Sequence, residues 1–445
     1  MINSDLSARA PPEEGIRPMD ANDITTDAAF LADFATMSEF GATGDGGVDR
    51  QAASAADIEQ RRWFAGLLES HGFTVEYDRI ANQFGLLELV PGAPYIIVGS
   101  HMDSQPTAGK YDGAYGVLAA AHSAFRLKEA WEQGAITPAY NLAVVNWFNE
   151  EGSRFAPSMM GSSVYTGKMA LETALGVTDH LGVTVEQALA DTGFLGTGDG
   201  PQAVGCAEIH IEQGRLLENA EVTIGLVTAT WAASKYRIVI NGEQAHSGAT
   251  VMEDRHDALF GASLLVVAAR RLADRFPGRL HTAIGQLDVY PNSPVVVASR
   301  VTLLLDLRSG DEAVLKEADE ILASTIAEIE ADAKVSVDMN LSHSWGINPY
   351  QSEGVDVSRS SADALGLSHM DIMTVAGHDS TNMKDIVPTV MLFVPSVEGI
   401  SHAEGEYTTD EDLVAGLAVI AEVTRRLVAG ELAPATSDSI DKELS

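Results

Sequence analysis

Four short polar clusters, each directly after an apolar run, hold the imidazoles and carboxylates of this chain that could act together. The first, Gly99-Ser100-His101-Met102-Asp103-Ser104, puts an imidazole and an acid two positions apart, on the same side of the chain if it stays extended. Asp112 lies eleven residues beyond His101, just before Gly113 and a long helical pattern, so it reads either as a bridging acid at a helix N-terminus or as a plain helix cap. Asn149-Glu150-Glu151-Gly152 follows the run Leu142 to Phe148, and neighbouring acids in an extended segment point opposite ways. One can then hold a metal while the other faces the water to be activated; an exposed acidic turn is the alternative. His210, inside Ile209-His210-Ile211-Glu212-Gln213-Gly214, and His402, after Ser401, are singly what hydrogen-bonded core histidines look like. Taken together, His101, Asp112, Glu151, His210 and His402 form two nitrogen/oxygen ligand sets sharing one carboxylate, which suits a pair of Zn²⁺ or Mn²⁺ ions.

Those clusters have to be carried by strand ends. The apolar runs Ala93 to Gly99, Leu142 to Phe148, Ala207 to Ile211 and Val387 to Val394 alternate with long helical patterns, as in an α/β sheet with helices on both faces. In open sheets of this kind the ligand crevice lies beyond the carboxyl ends of the strands, so four ends should converge. From about 232 to 344 the pattern changes to strand (Lys235 to Ile240), helix (Asp257 to Phe276), strand (His281 to Tyr290), strand (Ser299 to Arg308), helix (Asp311 to Ala333), strand (Lys334 to Leu341). That β-α-β-β-α-β order is a ferredoxin-like α+β unit, expected as an insertion at 232–344 in a mixed-sheet catalytic domain made of 25–231 and 345–430. The closing helix should start at Thr408-Thr409-Asp410-Glu411, where a threonine followed by an acid three positions on fits a capping box. Residues 1–24 and 431–445 read as polar tails.

Composition narrows the partners. The 445 residues are 45% hydrophobic and 21% charged, an ordinary globular balance, and the net charge of −36 argues against nucleic acid or any other polyanion. One cysteine, Cys206, leaves no intrachain disulfide, so packing must supply the stability and a reducing compartment is tolerated. No stretch approaches the roughly 18 unbroken apolar residues of a membrane span, and the first residues lack an export signal. A cytoplasmic protein that does not enter membranes is expected.

The motifs Gly99 to Pro106, Lys110-Tyr111-Asp112-Gly113, Asn149 to Phe155, Glu208 to Gly214, Ala245-His246-Ser247-Gly248 and Ser401-His402 together resemble the amidase/hydantoinase/carbamoylase family of dinuclear metallohydrolases, over about residues 25 to 430. This family is related to zinc aminoacylases and carboxypeptidases and includes N-carbamoyl-L-amino acid hydrolases, β-ureidopropionases and allantoate amidohydrolases. The resemblance implies two divalent ions (Zn²⁺, Mn²⁺, Co²⁺ or Ni²⁺): one held by His101 and His210, the other by Glu151 and His402, with Asp112 bridging. Glu150 becomes the general base, because water on such a cation is far more acidic than free water and a carboxylate beside it can carry the proton to the leaving nitrogen.

The same resemblance makes His246 a catalytic group that crosses a homodimer interface to polarise the scissile carbonyl, so the inserted unit becomes a lid and dimerisation domain. Arg308 is expected to fork onto the substrate carboxylate. Gln213, Asn292 and Gly377 are further substrate-binding candidates. Thirteen positions before the arginine the family usually has an asparagine that helps hold that carboxylate; here Val295 stands there, and valine makes no such bond. The expected substrate is a small molecule with a carboxylate and a ureido or amide group, most simply an N-carbamoyl-amino acid cleaved to amino acid, CO₂ and ammonia. Allantoate, an N-acyl amino acid or a peptide are the alternatives, as is a non-catalytic binder of metal or ureido ligand, against which an intact Glu150 argues.

Overall fold

The computed structural model describes residues 24–432, which leaves out all but the innermost residues of the two expected tails. Chain order gives fifteen strands: β1 (Thr74–Tyr77), β2 (Gln83–Leu87), β3 (Tyr95–His101), β4 (Asn141–Trp147), β5 (Ala203–Ile211), β6 (Ile224–Thr230), β7 (Ala232–Asn241), β8 (Ala245–His246), β9 (His281–Tyr290), β10 (Val296–Val297), β11 (Arg300–Ser309), β12 (Ser336–Trp345), β13 (Asn348–Pro349), β14 (His369–Thr374) and β15 (Thr389–Val394). A nine-stranded mixed sheet runs β1-β2-β4-β3-β5-β15-β6-β13, with β14 also paired to β6.

The four runs singled out in the sequence are the adjacent strands β4, β3, β5 and β15, all parallel to one another. Each is almost wholly buried and mostly apolar because both faces are covered, as parallel sheets require. Their carboxyl ends therefore open on one edge of the sheet, with His101 and His210 as the last or next-to-last residues of β3 and β5. On one face the helix Ala114–Glu132 buries Tyr115, Val117, Leu118 and Leu127, and the helix Asp410–Val428 buries Leu413, Leu417, Ile420 and Val423 in the same core. Each such side chain removed from water contributes roughly 1.5–3 kcal/mol. Thr409 caps the second helix, accepting the N–H of Asp412 at 3.1 Å.

A four-stranded antiparallel sheet of order β12-β7-β11-β9 forms a second layer, with the helices Ala258–Asp274 and Glu312–Ala333 on one face. Its inward residues Ile238, Ile240, Val301, Leu303, Leu305 and Leu307 alternate with more exposed, mostly polar ones, and they meet Leu265, Leu272, Leu322 and Ile326 of the helices in a core of their own. The single residue Trp231 separates β6 of the large sheet from β7 of the small one. Among the described residues no helix is long and apolar enough to cross a membrane.

Candidate metal centre

Asp112 is the meeting point. It follows the loop after β3 and precedes Gly113, whose φ of 62° and close approach to His101 both exclude a side chain: a Cβ there would lie 2.3 Å from the imidazole. Asp112 Oδ1 sits 3.4 Å from His101 Nε2 and 3.1 Å from His210 Nε2, while Oδ2 sits 3.4 Å from His402 Nε2. His402 Nε2 is also 3.5 Å from Glu151 Oε2. Within each triad, His101–Asp112–His210 and Asp112–Glu151–His402, one donor atom per residue lies within 4.8 Å of the others. The five residues expected as ligands thus form two triads sharing one carboxylate. His402 is the odd one, half exposed at the mouth while the others are buried or nearly so.

The hydrogen-bond pattern tests whether cations fit there. His101 Nδ1 faces the Asp103 carbonyl at 3.0 Å and His210 Nδ1 faces the Ile211 carbonyl at 2.9 Å, so in each ring Nδ1 is the donor; the Nε2 lone pair of His101 faces Asp112, while that of His210 lies beside Asp112 and accepts the Gly113 N–H at 2.9 Å. Lone pairs turned toward a carboxylate repel unless a proton or a cation lies between them. Electrostatics agree: burial would raise Asp112, but His210 and then His101 hold it well below the usual carboxylate range. Burial would lower His101, but Glu150 and Asp112 hold it well above its ordinary value. Burial and Asp112 push Glu151 up to about 7, and the hydrogen bond to Asp112 raises His402 to about 9. These opposed shifts show a cluster that favours positive charge between its donors, and the nitrogen/oxygen donor set suits Zn²⁺ or Mn²⁺.

Glu150 lies beside this cluster, with Oε2 3.4 Å from His101 Nε2, and burial pushes its carboxyl well above the usual range despite His101. The sequence put the adjacent acids on an extended segment; they lie instead in a bend after β4, with Asn149 at a φ of 53°, and that bend places Glu151 in a triad and Glu150 outside both.

Residues 97–426 match Peptidase family M20/M25/M40. The chain belongs to that family. It is 54% identical over 416 residues to a putative hydrolase of Mycolicibacterium smegmatis, spanning 92% of this chain and 95% of the relative. It is 33% identical over 399 residues to the N-carbamoyl-L-amino-acid amidohydrolase of Rhizobium meliloti, spanning 86% and 92%. The crystal structure of an amidase of the hydantoinase/carbamoylase family from Burkholderia vietnamiensis superposes with a TM-score of 0.82 at 35% identity, covering 91% of this chain and 98% of that one. This M20 chain is a metal-dependent hydrolase of carbon–nitrogen bonds other than ordinary peptide bonds.

Several residues that surround the two triads had no role assigned from the sequence, although Asp103, Gln105 and Glu208 lie inside its motifs. Asp103 accepts the N–H groups of Glu150 and Glu151 at 3.1 and 3.3 Å, which fixes the turn after β4. Gln105 grips Glu151 through its own N–H at 3.2 Å and its amide at 2.9 Å. Glu406 Oε1 accepts the N–H groups of Tyr111 and Asp112, both at 3.0 Å, and its Oε2 lies 3.0 Å from Ser401 Oγ. Glu208, behind His210, accepts Ser100 Oγ at 2.6 Å and the Ser380 N–H at 2.8 Å.

The substrate-binding candidates separate into two groups. Gln213 donates to Asp112 Oδ2 at 2.6 Å, and with His402 it lines a cavity of about 650 Å³ whose far wall is Arg308. Arg308 is not a free fork. Its Nε and Nη2 bond Asp306, at 3.2 and 2.8 Å, and Nη1 donates to the Val375 carbonyl at 2.7 Å, which leaves two of its five N–H groups. Gly377 is exposed against Met159, outside that cavity, which Val375 and Ala376 line instead.

Asn292, Val295 and His246 lie elsewhere. The register pairs Arg300 with both Tyr290 and Asn241, and Arg308 with His281 and Ala233. Asn292, just past Tyr290, and His246, which pairs with Val296, therefore sit at the opposite end of the small sheet from Arg308, about 26 Å along β11. Within one chain Asn292 and Val295 lie too far from Arg308 to hold the same carboxylate with it. His246 is exposed, and its Nδ1 accepts the N–H groups of Gly248 and Ala249 at 3.1 Å, so its proton is on an outward Nε2.

Proposed function

We propose that this protein hydrolyses N-carbamoyl-amino acids to the amino acid, CO₂ and ammonia with two divalent ions held by His101, Asp112, Glu151, His210 and His402. The observation that carries this reading is Asp112 between two donor triads with the unshared, buried Glu150 alongside. When bound, the ions supply Lewis acidity to the carbonyl and to water. Glu150 takes the proton of the attacking water and returns it to the amino-acid nitrogen as the C–N bond breaks; the carbamate released then decomposes to CO₂ and ammonia. Its raised proton affinity, set by burial, suits a base that must hold that proton between the two steps. Gln213, anchored on Asp112, stands where it can meet the ureido group.

The metal residues belong to the domain 25–231 plus 345–430, and the ferredoxin-like insertion 232–344 serves as lid and dimerisation unit. Arg308 reaches the cavity of its own chain. His246 and Asn292, at the far end of the same sheet, serve the site of a second copy, with the outward Nε2–H of His246 donating to the scissile carbonyl. That separation supports a homodimer. The test is a panel of N-carbamoyl, N-formyl and N-acetyl amino acids, a dipeptide and allantoate, offered to enzyme loaded with Mn²⁺, Zn²⁺ or Co²⁺. Cleavage of N-carbamoyl compounds at the highest kcat/KM is expected, and a preference for allantoate, acyl or peptide substrates overturns the reading.

A further inference from the structure

Beside Arg308 the cavity has an aromatic wall that neither the metals nor the proton transfer requires. Trp231, the one residue between β6 and β7, packs against His281 with ring centroids 4.9 Å apart, and His281 is the β9 partner of Arg308. Gly310 makes the room for the indole: a Cβ there would come within 2.9 Å of Trp231 Nε1. The indole is thus seated between a bare backbone and an imidazole, and its backbone N–H is tied to the Thr374 carbonyl at 2.9 Å. Partial burial and then Arg308 lower the proton affinity of His281, so this wall is uncharged near neutral pH. Leu216, Met373 and Phe393 continue the apolar lining toward Gln213 and His402.

We propose that this wall selects the amino-acid moiety, making the substrates N-carbamoyl α-amino acids with large apolar or aromatic side chains. The proposal rests on the N-carbamoyl reading above. In an α-amino acid the side chain leaves the carbon that bears the carboxylate, so a carboxylate held by the two remaining N–H groups of Arg308 places that side chain beside Trp231 and His281. Glycine and β-alanine derivatives put nothing there. They would leave the apolar part of a cavity of about 650 Å³ to water. Burying a ring of phenylalanine size against it is expected to raise kcat/KM by about 10- to 100-fold over the glycine compound.

The experiment compares kcat/KM for both enantiomers of N-carbamoyl-phenylalanine with N-carbamoylglycine and N-carbamoyl-β-alanine, using metal-loaded wild type, Trp231→Ala and Trp231→Phe. The better phenylalanine enantiomer should lead by at least about tenfold in wild type. Trp231→Ala should cut that ratio by about tenfold, and Trp231→Phe should keep most of it. A wild-type ratio near one, or equal losses on all substrates in Trp231→Ala, overturns the proposal. Calorimetric titration of Glu150→Gln protein with free phenylalanine and glycine reads the wall without turnover: tighter phenylalanine binding that weakens in the Trp231→Ala background supports the proposal, and equal affinities sink it. Should the enzyme cleave only other substrates in the panel, the reaction assignment fails while the titration still decides the wall.

Discussion

The Asp112 N–H donates to Glu406 Oε1 at 3.0 Å, linking the carboxylate shared by both triads to a residue 294 positions away. Glu406 is almost wholly buried, and its other oxygen meets Ser401 next to His402, so one side chain sets the loop of the shared ligand and the loop of the most exposed one. Glu406→Ala should lower metal affinity about 10- to 100-fold, the usual loss when a group orienting metal ligands is removed. Glu406→Gln, which keeps an acceptor oxygen, should lose much less. Metal titration of both variants decides; equal affinity in wild type and Glu406→Ala would remove its positioning role.

Glu150→Gln should retain both metals and lose turnover by about 10²- to 10⁴-fold. Amide and carboxylate have nearly the same shape, and Glu150 stands outside both donor triads. Metal content by elemental analysis, measured beside kcat, checks this. Unchanged kcat refutes the base role.

Metal uptake should release protons. Glu151, raised to about 7, and His402, raised to about 9, are partly or largely protonated near neutral pH in the protein alone, and both must give up the proton to act as ligands. Apparent affinity should therefore rise with pH from about 6 to 9. Calorimetric heats should differ between buffers of different ionisation enthalpy; a pH-independent affinity would contradict the arrangement.

Chelator treatment should abolish activity, with recovery on adding Mn²⁺, Zn²⁺ or Co²⁺. Metal at a hundredfold excess over its dissociation constant should also stabilise the fold by about 2.7 kcal/mol, seen as a higher Tm. Full activity in stripped protein would refute the metal assignment.

Mixing subunits distinguishes a His246 that works across an interface from one that works in its own chain. Glu150→Gln and His246→Ala homodimers should each be nearly inactive. Mixed dimers should regain about half the activity per dimer, because one of their two sites then combines an intact Glu150 with an intact partner histidine. Mixtures as inactive as either parent would place His246 in its own chain's site.

The two donor triads were legible because each donor cluster follows an apolar run, and those runs are four neighbouring parallel strands. Chain order alone then puts His101, Glu151, His210 and His402 on one edge. Glu406 and Glu208 were not legible: they are two among 64 acids, and nothing in their spacing says that one will take the Asp112 N–H and the other Ser100 Oγ. The distance between Asn292 and Arg308 was missed for another reason. Thirteen positions separate Val295 from the arginine, but which end of a hairpin each residue occupies depends on register, and only the pairing of Arg300 with Tyr290 reveals it. Boundaries shifted by a few residues, most at β12, which continues to Trp345 through an irregularity between Leu341 and His343.

Joining the two sheets through Trp231 on one crossing and Gly346-Ile347 on the other has a mechanical consequence. If the insertion rotates about this joint, residues near the pivot barely move, while the tip of β7, nine steps on, swings about 5 Å for every 10°. Trp231 and the nearby Arg308 would thus keep their stations on the cavity through an opening stroke that carries His246 far from whatever it serves, so one lever would separate the constant part of recognition from the part that is made and broken in each cycle.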